Sequence, residues 1–522
     1  MNWQPDVARD FSDYLRDESR RLGQAEFITF PASTEELAAA LRDAHARHLA
    51  VTLQGARTGI AAGAVPDGGS ILNLSRMTRV LGLRQRHGLF YALVQPGVLL
   101  SAFRTALAKR EFDTAGWDAD SRAALAALRA APRQMLTADP TETSASLGGM
   151  TACNASGARS FKYGAVRHYV EALHVVLADG ATVELRRGAQ QARGRAFTLA
   201  LPDGRSLASP LPAYTMPAVK NAAGYYAADH MDLVDLFIGS EGTLGAIAAI
   251  ELRLTPEPAL EWGMTAFLPS TAAVCQFVRR ARGEYAAGSG PLAAIEYFSG
   301  SALALLRHQK ATNPAFAIIP DIPEGFAGAV YVEIHAETEA AAQTTLEKLV
   351  EFLNACGGNE DTAWLATTPQ ELERLHRFRH AVPEAVNLLI GERKKTEPGL
   401  TKLGTDMAVP DGALETVMAL YETDLARLGL ESVVFGHIGN NHVHVNILPR
   451  TLADYETGKK LYQHWAERVC GLGGTISAEH GVGKLKTALL AVMYGETGIA
   501  QMRAVKQVFD PDRTLGRGNL FS

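Results

Sequence analysis

Cysteine is scarce in this chain: four residues in 522, at Cys153, Cys275, Cys356 and Cys470, with no C-x-x-C pairing among them. That scatter excludes a disulfide frame and an iron–sulfur ligand set, and reads as small buried hydrophobes in a reducing compartment. No apolar run approaches the roughly 20 residues that a membrane span needs. The opening stretch MNWQPDVARDFSDYLRDESRRL is polar and charged, without the apolar segment of a secretory signal. A cytoplasmic location without a membrane span is therefore expected. The net charge of −5 gives no basic excess, which argues against nucleic acid as the main partner. Heme motifs and nicotinamide fingerprints are missing too.

Hydrophobic residues make up 47% and charged residues 20%, the proportions of a globular protein too long for a single core. Two or three domains are expected. Glu26–Pro31 reads as a strand, and Ser33 with Glu36 as a capping box. Leu37, Leu41, Ala44 and His48 then fall on one helical face, and Leu49–Gln54 reads as a second strand. This β-α-β start runs into Gly55-Ala56-Arg57-Thr58-Gly59-Ile60-Ala61-Ala62-Gly63. Small residues let backbone N–H groups approach a phosphate. Alone, the loop could equally be a plain turn, since it is neither a Walker nor a Rossmann motif. Two further small-residue segments follow: Leu147–Gly157, reading LGGMTACNASG, and Asn221–Tyr225, the latter ahead of LFIGSEGTLG at 236–245. Three such loops suit a long ligand with a pyrophosphate and a flat ring system.

The densest chemistry lies in Phe435–Pro449, FGHIGNNHVHVNILP. It reads as a short hairpin with His442, His444 and Asn446 on one face and Val443, Val445 and Ile447 on the other. Imidazoles so placed are costly to bury without partners. The stretch ISAEHGVG at 476–483 offers the missing carboxylate, Glu479. Two imidazoles and one carboxylate with open positions make a metal site that still admits substrate. From Trp262 onward, strands alternate with amphipathic helices, which predicts an antiparallel sheet with helices on one face. The boundary is placed at Pro256–Pro258. Thr368 and Glu371 form a capping box ahead of a helix whose apolar stripe carries Arg379 beside Leu372, Leu375 and Val382. A substrate carboxylate would explain that guanidinium, and so would a structural pair with Glu333.

In their order, these motifs resemble the FAD-binding domain of the vanillyl-alcohol oxidase / p-cresol methylhydroxylase superfamily. The motifs are the small-residue loop, GGM-x-x-x-NA-x-G, YG-x-x-R and GSEGTLG. The hairpin and SAEHGVG resemble its D-lactate / D-2-hydroxyglutarate dehydrogenase branch, over most of Phe27–Ser522. The resemblance implies an α+β protein in which both chain ends build the FAD-binding domain. Residues 1–257 would form it, with insertions near 110–137 and 186–217, residues 258–470 a substrate domain, and 471–522 a segment returning to the flavin. It implies non-covalent FAD lined by Gly55, Ala56, Arg57, Thr58, Gly59 and Gly63 at the pyrophosphate. Pro140, Gly148, Gly149, Thr151, Asn154, Gly157 and Gly164 would approach the ring and ribityl chain, Glu241, Gly242, Gly245 and Ile247 the adenine side, and Asn519 the polar edge. A divalent metal, zinc or manganese, would sit on His437, His444 and Glu479. His480 would be the base, Arg379 the carboxylate anchor and Asn446 a further catalytic group. Ala56 and Ala62 stand where many relatives have glycine. Pro383 replaces a hydroxyl residue of glutarate-type relatives, and no lysine directly precedes Thr405-Asp406, which favours a D-lactate-like monocarboxylate. The implied activity is oxidation of a D-2-hydroxy acid, with D-2-hydroxyglutarate, glycolate, or a metal-free oxidase as alternatives. An electron-transfer flavoprotein, cytochrome or quinone would accept the electrons, and a homodimer is compatible with the reading. A flavin-binding subunit of a larger redox complex is the rival from another class.

Overall fold

The computed structural model describes residues 3–521; Met1, Asn2 and Ser522, the ends of the first and last expected segments, lie outside the described residues. The capping box at Ser33 forms as read. Its hydroxyl accepts from the Glu36 N–H, and the Glu36 carboxylate reaches back to the N–H of Ala32. Helix α1 (Thr34–Ala46) buries Leu37, Leu41 and Ala44. His48 departs from the expectation, because the helix has already ended and His48 sits exposed in a left-handed turn, φ 51°.

Strands β1 (Phe27–Thr29), β2 (Val51–Gln54) and β3 (Ser70–Asn73) form a parallel sheet in the order β1-β3-β2. The far end of the chain joins it: Val51 donates to Thr514 O at 2.7 Å and accepts from the Gly516 N–H at 2.9 Å. A second sheet is antiparallel. It holds β4 (Val80–Arg86), β5 (Leu89–Val94), β6 (Val170–Val176), β7 (Thr182–Arg186) and β10 (Ala246–Arg253) in the order β4-β5-β10-β6-β7. Leu37 and Leu41 of α1 share a core with Leu72, Val176 and Ala246, so α1 lies between the two sheets. Both insertions are ordered. Helix α2 (Ala119–Ala130) is capped by Asp118 and buries Leu125 and Leu128. The hairpin β8–β9 (Ala196–Ala200, Ser206–Pro210) turns at Pro202-Asp203-Gly204, and Phe197 stacks on Phe509.

The third sheet is antiparallel and seven-stranded. Its members are β11 (Leu260–Leu268), β12 (Leu292–Ser299), β13 (Gly328–Ala336), β14 (Trp364–Ala366), β15 (Leu403–Gly404), β16 (Ser432–Gly436) and β17 (His444–Ile447). The order is β14-β11-β13-β12-β16-β17-β15. Helices cover both of its faces, not one. Met264, Val330 and Val332 pack with α3 (Thr271–Glu284), α4 (Glu339–Ala355) and α6 (Leu414–Leu428). Phe267, Ala329 and Tyr331 pack with Phe378 and Val382 of α5 (Pro369–Thr396) on the other face. The reason is visible in β13, which is buried at all nine positions and carries apolar residues on both sides, unlike a half-solvated strand. The 403–409 strand is also shorter than expected, pairing regularly only at Leu403 and Gly404. Among the described residues, no helix is long and apolar enough to cross a membrane.

Candidate active site

The hairpin aligns Phe435 with His444 and Val433 with Asn446. Gly436 matters here: at φ 132° a Cβ would come 2.9 Å from the His444 ring, so a side chain there would displace the imidazole. Residues 438–440 make a 3₁₀ turn, and His442 donates its N–H back to His437 O at 3.2 Å. The segment carrying Glu479 is tied to the sheet by one buried carboxylate, Asp406. Asp406 accepts from the N–H groups of Glu479 (3.2 Å) and His480 (3.0 Å), from Ser477 Oγ (2.7 Å) and from Lys486 Nζ (2.7 Å).

These two supports place Glu479 Oε1 among three rings. It lies 3.2 Å from His437 Nε2, 3.4 Å from His444 Nε2 and 3.5 Å from His480 Nε2. The opposite ring nitrogens are engaged elsewhere. His437 Nδ1 meets Glu296 Oε1 at 2.7 Å, and His444 Nδ1 meets the Thr405 carbonyl at 2.8 Å. A carbonyl only accepts, so His444 carries its proton on Nδ1 and leaves Nε2 with a lone pair. Metal bonds of about 2.1 Å at angles of 90–109° set neighbouring ligand atoms about 3.0–3.4 Å apart. The donor set therefore fits a divalent ion. The surroundings favour positive charge at this spot, and an arriving cation would have to displace the proton on His437. Burial works against a charged His437, yet Glu296 and Glu479 outweigh it and raise its pKa to about 9. Burial likewise opposes the Glu479 anion, but Lys220 and the His437 and His442 rings hold it well below the usual carboxylate range.

Sequence reasoning missed Lys220, Glu296, Asp406 and the contribution of His442. Lys220 Nζ is buried 2.6 Å from Glu479 Oε2. Its one signal was a lysine directly preceding the small-residue segment at Asn221. His442 was read on the polar face but left out of the ligand set, although it groups with His437, His444 and Glu479. His480 is brought in as expected, with Nδ1 3.4 Å from Asp406 Oδ2, and burial pushes its pKa down to about 4. Arg379 donates to its neighbour His380 at 2.9 Å instead of gripping a carboxylate. Burial opposes its charge, while Glu296, Asp139 and Glu333 favour it through space. Glu333 itself is held by Arg159 Nε at 2.7 Å, not by Arg379. Asn446 is buried and donates to the His444 carbonyl at 3.4 Å.

Part of the expected cofactor set is brought together. Ser146 accepts from Ala56 N–H and Gly149 N–H, joining the first loop to the short helix Leu147–Ala152. Asn519 Nδ2 donates to Gly63 O (2.9 Å) and Glu241 O (3.2 Å). At Gly59 no atom lies within 4 Å of a built Cβ, so that backbone faces open space, as a phosphate-approaching loop requires. Other positions are occupied by the chain itself. A Cβ at Gly148 would meet Pro96 at 2.4 Å, at Gly157 the Asp139 carbonyl at 1.6 Å, and at Gly245 Val175 at 2.6 Å. Glu241 accepts from Val482 N–H (2.7 Å) and Gly483 N–H (2.6 Å), which pins SAEHGVG to GSEGTLG. Arg57 turns away, bonding the Asp13 carbonyl and lying over the Tyr14 ring. Thr151 bonds Leu147 O, Asn154 bonds Asn221 O, and Gly164 and Gly242 take φ of 70° and 71°. Thr58 and Pro140 are half-buried, and Ile247 is buried. The loops that remain open at Gly59 and joined at Ser146 and Asn519 fit an extended dinucleotide.

A family model described as "FAD linked oxidases, C-terminal domain" matches residues 260–520, and one described as "FAD binding domain" matches 25–128 and 121–186. A probable mitochondrial D-lactate dehydrogenase of Danio rerio is 27% identical, over 97% of this chain and 86% of the relative. A D-2-hydroxyglutarate dehydrogenase of Xanthomonas citri pv. viticola is 28% identical, over 98% of this chain and 93% of the relative. Among solved structures, an alkyldihydroxyacetonephosphate synthase shares the fold, with a TM-score of 0.60 at 15% identity, over 95% of this chain and 76% of that one. The chain thus belongs to the FAD-linked oxidase family, with an FAD-binding domain of the vanillyl-alcohol oxidase / p-cresol methylhydroxylase type.

Proposed function

We propose that this chain oxidises a D-2-hydroxy acid, D-lactate-like, to the 2-oxo acid and passes the electrons to an external acceptor such as an electron-transfer flavoprotein, a cytochrome or a quinone. The observation that carries the reading is Glu479 Oε1 seated within 3.5 Å of three imidazoles. Bound FAD supplies the hydride acceptor, and a bound divalent ion, zinc or manganese, supplies the charge that acidifies the substrate hydroxyl. His437, His444 and Glu479 would hold the ion. His480 would take the hydroxyl proton, a role supported by its place 3.5 Å from Glu479 Oε1 and by burial that keeps the ring neutral. Arg379 would hold the substrate carboxylate, a role supported by the absence, among the described residues, of a carboxylate paired with its guanidinium, which bonds His380 instead. Asn446, on the hairpin face that also carries His444, is the further catalytic group of this reading.

Residues 1–257 with 471–522 form the FAD-binding part, supported by the Val51–Leu515 pairing, and 258–470 form the substrate part. The four free cysteines suit a reducing compartment, in keeping with a cytoplasmic protein. Both relatives described above are named for oxidation of D-2-hydroxy acids, one monocarboxylic and one dicarboxylic. Pro383, one turn beyond Arg379 in α5, favours the smaller substrate. The test is an anaerobic screen of chiral 2-hydroxy acids, read as bleaching of the bound flavin. D-Lactate should bleach it and L-lactate should not. Faster bleaching by D-2-hydroxyglutarate would move the substrate to the dicarboxylate. No bleaching by any hydroxy acid would leave a flavin-carrying subunit. Peroxide formed as fast as a dye is reduced would make it an oxidase.

A further inference from the structure

His442 is fully buried, at 0% exposure, and among the described residues neither ring nitrogen makes a well-aligned hydrogen bond. A buried ring nitrogen left unpartnered costs free energy, and Nδ1, with no partner among the described residues, calls for a ligand. Its Nε2 lies 3.0 Å from Asp406 Oδ1, though off the hydrogen-bond axis. Its ring centroid is 4.4 Å from that of His444 and 5.3 Å from that of His437. One of its nitrogens lies within 4.8 Å of the donor atoms of His437, His444 and Glu479.

We propose that His442 is a fourth protein ligand, making a cage of three imidazoles and one carboxylate for a six-coordinate first-row divalent ion and not for tetrahedral zinc. This rests on the preceding reading that the cluster holds a metal. The arrangement repeats on each ring. Glu296 stands behind His437, the Thr405 carbonyl behind His444, and Asp406 behind His442. In such a cage Asp406 would back Nε2, and Nδ1, which has no partner among the described residues, would face the ion. Four protein donors saturate a tetrahedral ion and would close it to substrate. A 2-hydroxy acid chelates through two oxygens, its hydroxyl and one carboxylate oxygen. Four protein donors and those two oxygens fill an octahedron, which suits manganese, iron or cobalt.

The test uses FAD-loaded protein stripped of metal and titrated with Mn²⁺, Zn²⁺ and Co²⁺ against a competing chelator. The wild type should bind one ion per chain, and its Co²⁺ form should show the weak visible bands of a six-coordinate ion. His442→Asn should bind Mn²⁺ at least about 10-fold more weakly. Its Co²⁺ bands should move to longer wavelength, because water is a weaker-field donor than imidazole. X-ray absorption of the Mn²⁺-loaded wild type needs no variant and should count three imidazoles. Two imidazoles, an unchanged affinity and spectrum in His442→Asn, or the intense bands of tetrahedral Co²⁺ would each overturn the proposal. Absence of stoichiometric binding to the wild type would overturn the metal reading itself.

Discussion

Glu479 and His480 are neighbours in sequence, yet Asp406 holds both of their N–H groups and so fixes which way each side chain leaves the backbone. Their tasks should separate under mutation. Glu479→Gln should lose the ion and keep FAD. His480→Asn should keep both and reduce its flavin about 10²–10⁴-fold more slowly, the usual worth of a positioned base. Stopped-flow flavin bleaching beside metal analysis reads both, and wild-type bleaching by His480→Asn would remove it from the base role. Lys220 acts on the same carboxylate from the other side. With Nζ 2.6 Å from Oε2, it fixes the rotamer that turns Oε1 to the imidazoles. Lys220→Gln should weaken Mn²⁺ binding by about 10–100-fold with FAD content unchanged. Cys153 lies in the GGM-x-x-x-NA-x-G stretch that the resemblance sets beside the flavin. Burial first, then Glu241 and Asp17, push its thiol up to about 12, so it stays protonated and cannot attack. Acid precipitation should therefore release all yellow colour to the supernatant.

At the scale of elements, what was legible was local. The box at Thr368 is complete: Thr368 Oγ1 accepts from Glu371 N–H, and the Glu371 carboxylate accepts from the Thr368 N–H. It starts the 28-residue helix that carries Arg379. Thr368→Ala should cost about 1 kcal/mol, read as a shift in the denaturant midpoint with unchanged slope. The hairpin was legible for the same reason, since a period of two assigns faces without any distant partner. What was not legible depends on residues far apart in the chain. Lys220 meets Glu479 across 259 positions, and Ser477 meets Asp406 across 71. No periodicity encodes such pairs; packing of whole elements decides them. The covering of the seven-stranded sheet failed for a related reason. β13 alternates Val330, Val332 and Ile334 with Tyr331, Glu333 and His335, so alternation pointed to a polar face, yet that face is buried too and its charges are paired inside.

For the whole molecule, the decisive contact between the two halves is ionic and buried. Glu333 of β13, 2% exposed, takes Arg159 Nε at 2.7 Å, His335 Nε2 at 2.8 Å, His376 Nε2 at 3.4 Å and the Tyr331 hydroxyl at 3.2 Å. Arg159 also reaches Glu261 at 3.2 Å, and Tyr163 closes the group on His335 Nδ1 at 2.7 Å. Arg159 and Tyr163 come from the segment after the second small-residue loop, so this network fastens the FAD-binding domain to the C-terminal domain. Burial alone would raise the Glu333 pKa, but Arg159 and the two histidines hold it well below the usual carboxylate value. An unfolded glutamate titrates near about 4.3. A folded pKa below that means the contribution is complete above it and fades as pH falls through the folded value. The acid limb of stability should therefore steepen below about pH 4. Glu333→Gln should unfold at lower temperature at pH 7, by about 3–5 kcal/mol for breaking a buried pair, and show a shallower loss below pH 4. Thermal melts of both proteins from pH 3 to 7 measure this. Parallel acid limbs in the two would show that Glu333 does not carry the acid sensitivity, whatever it contributes at neutral pH.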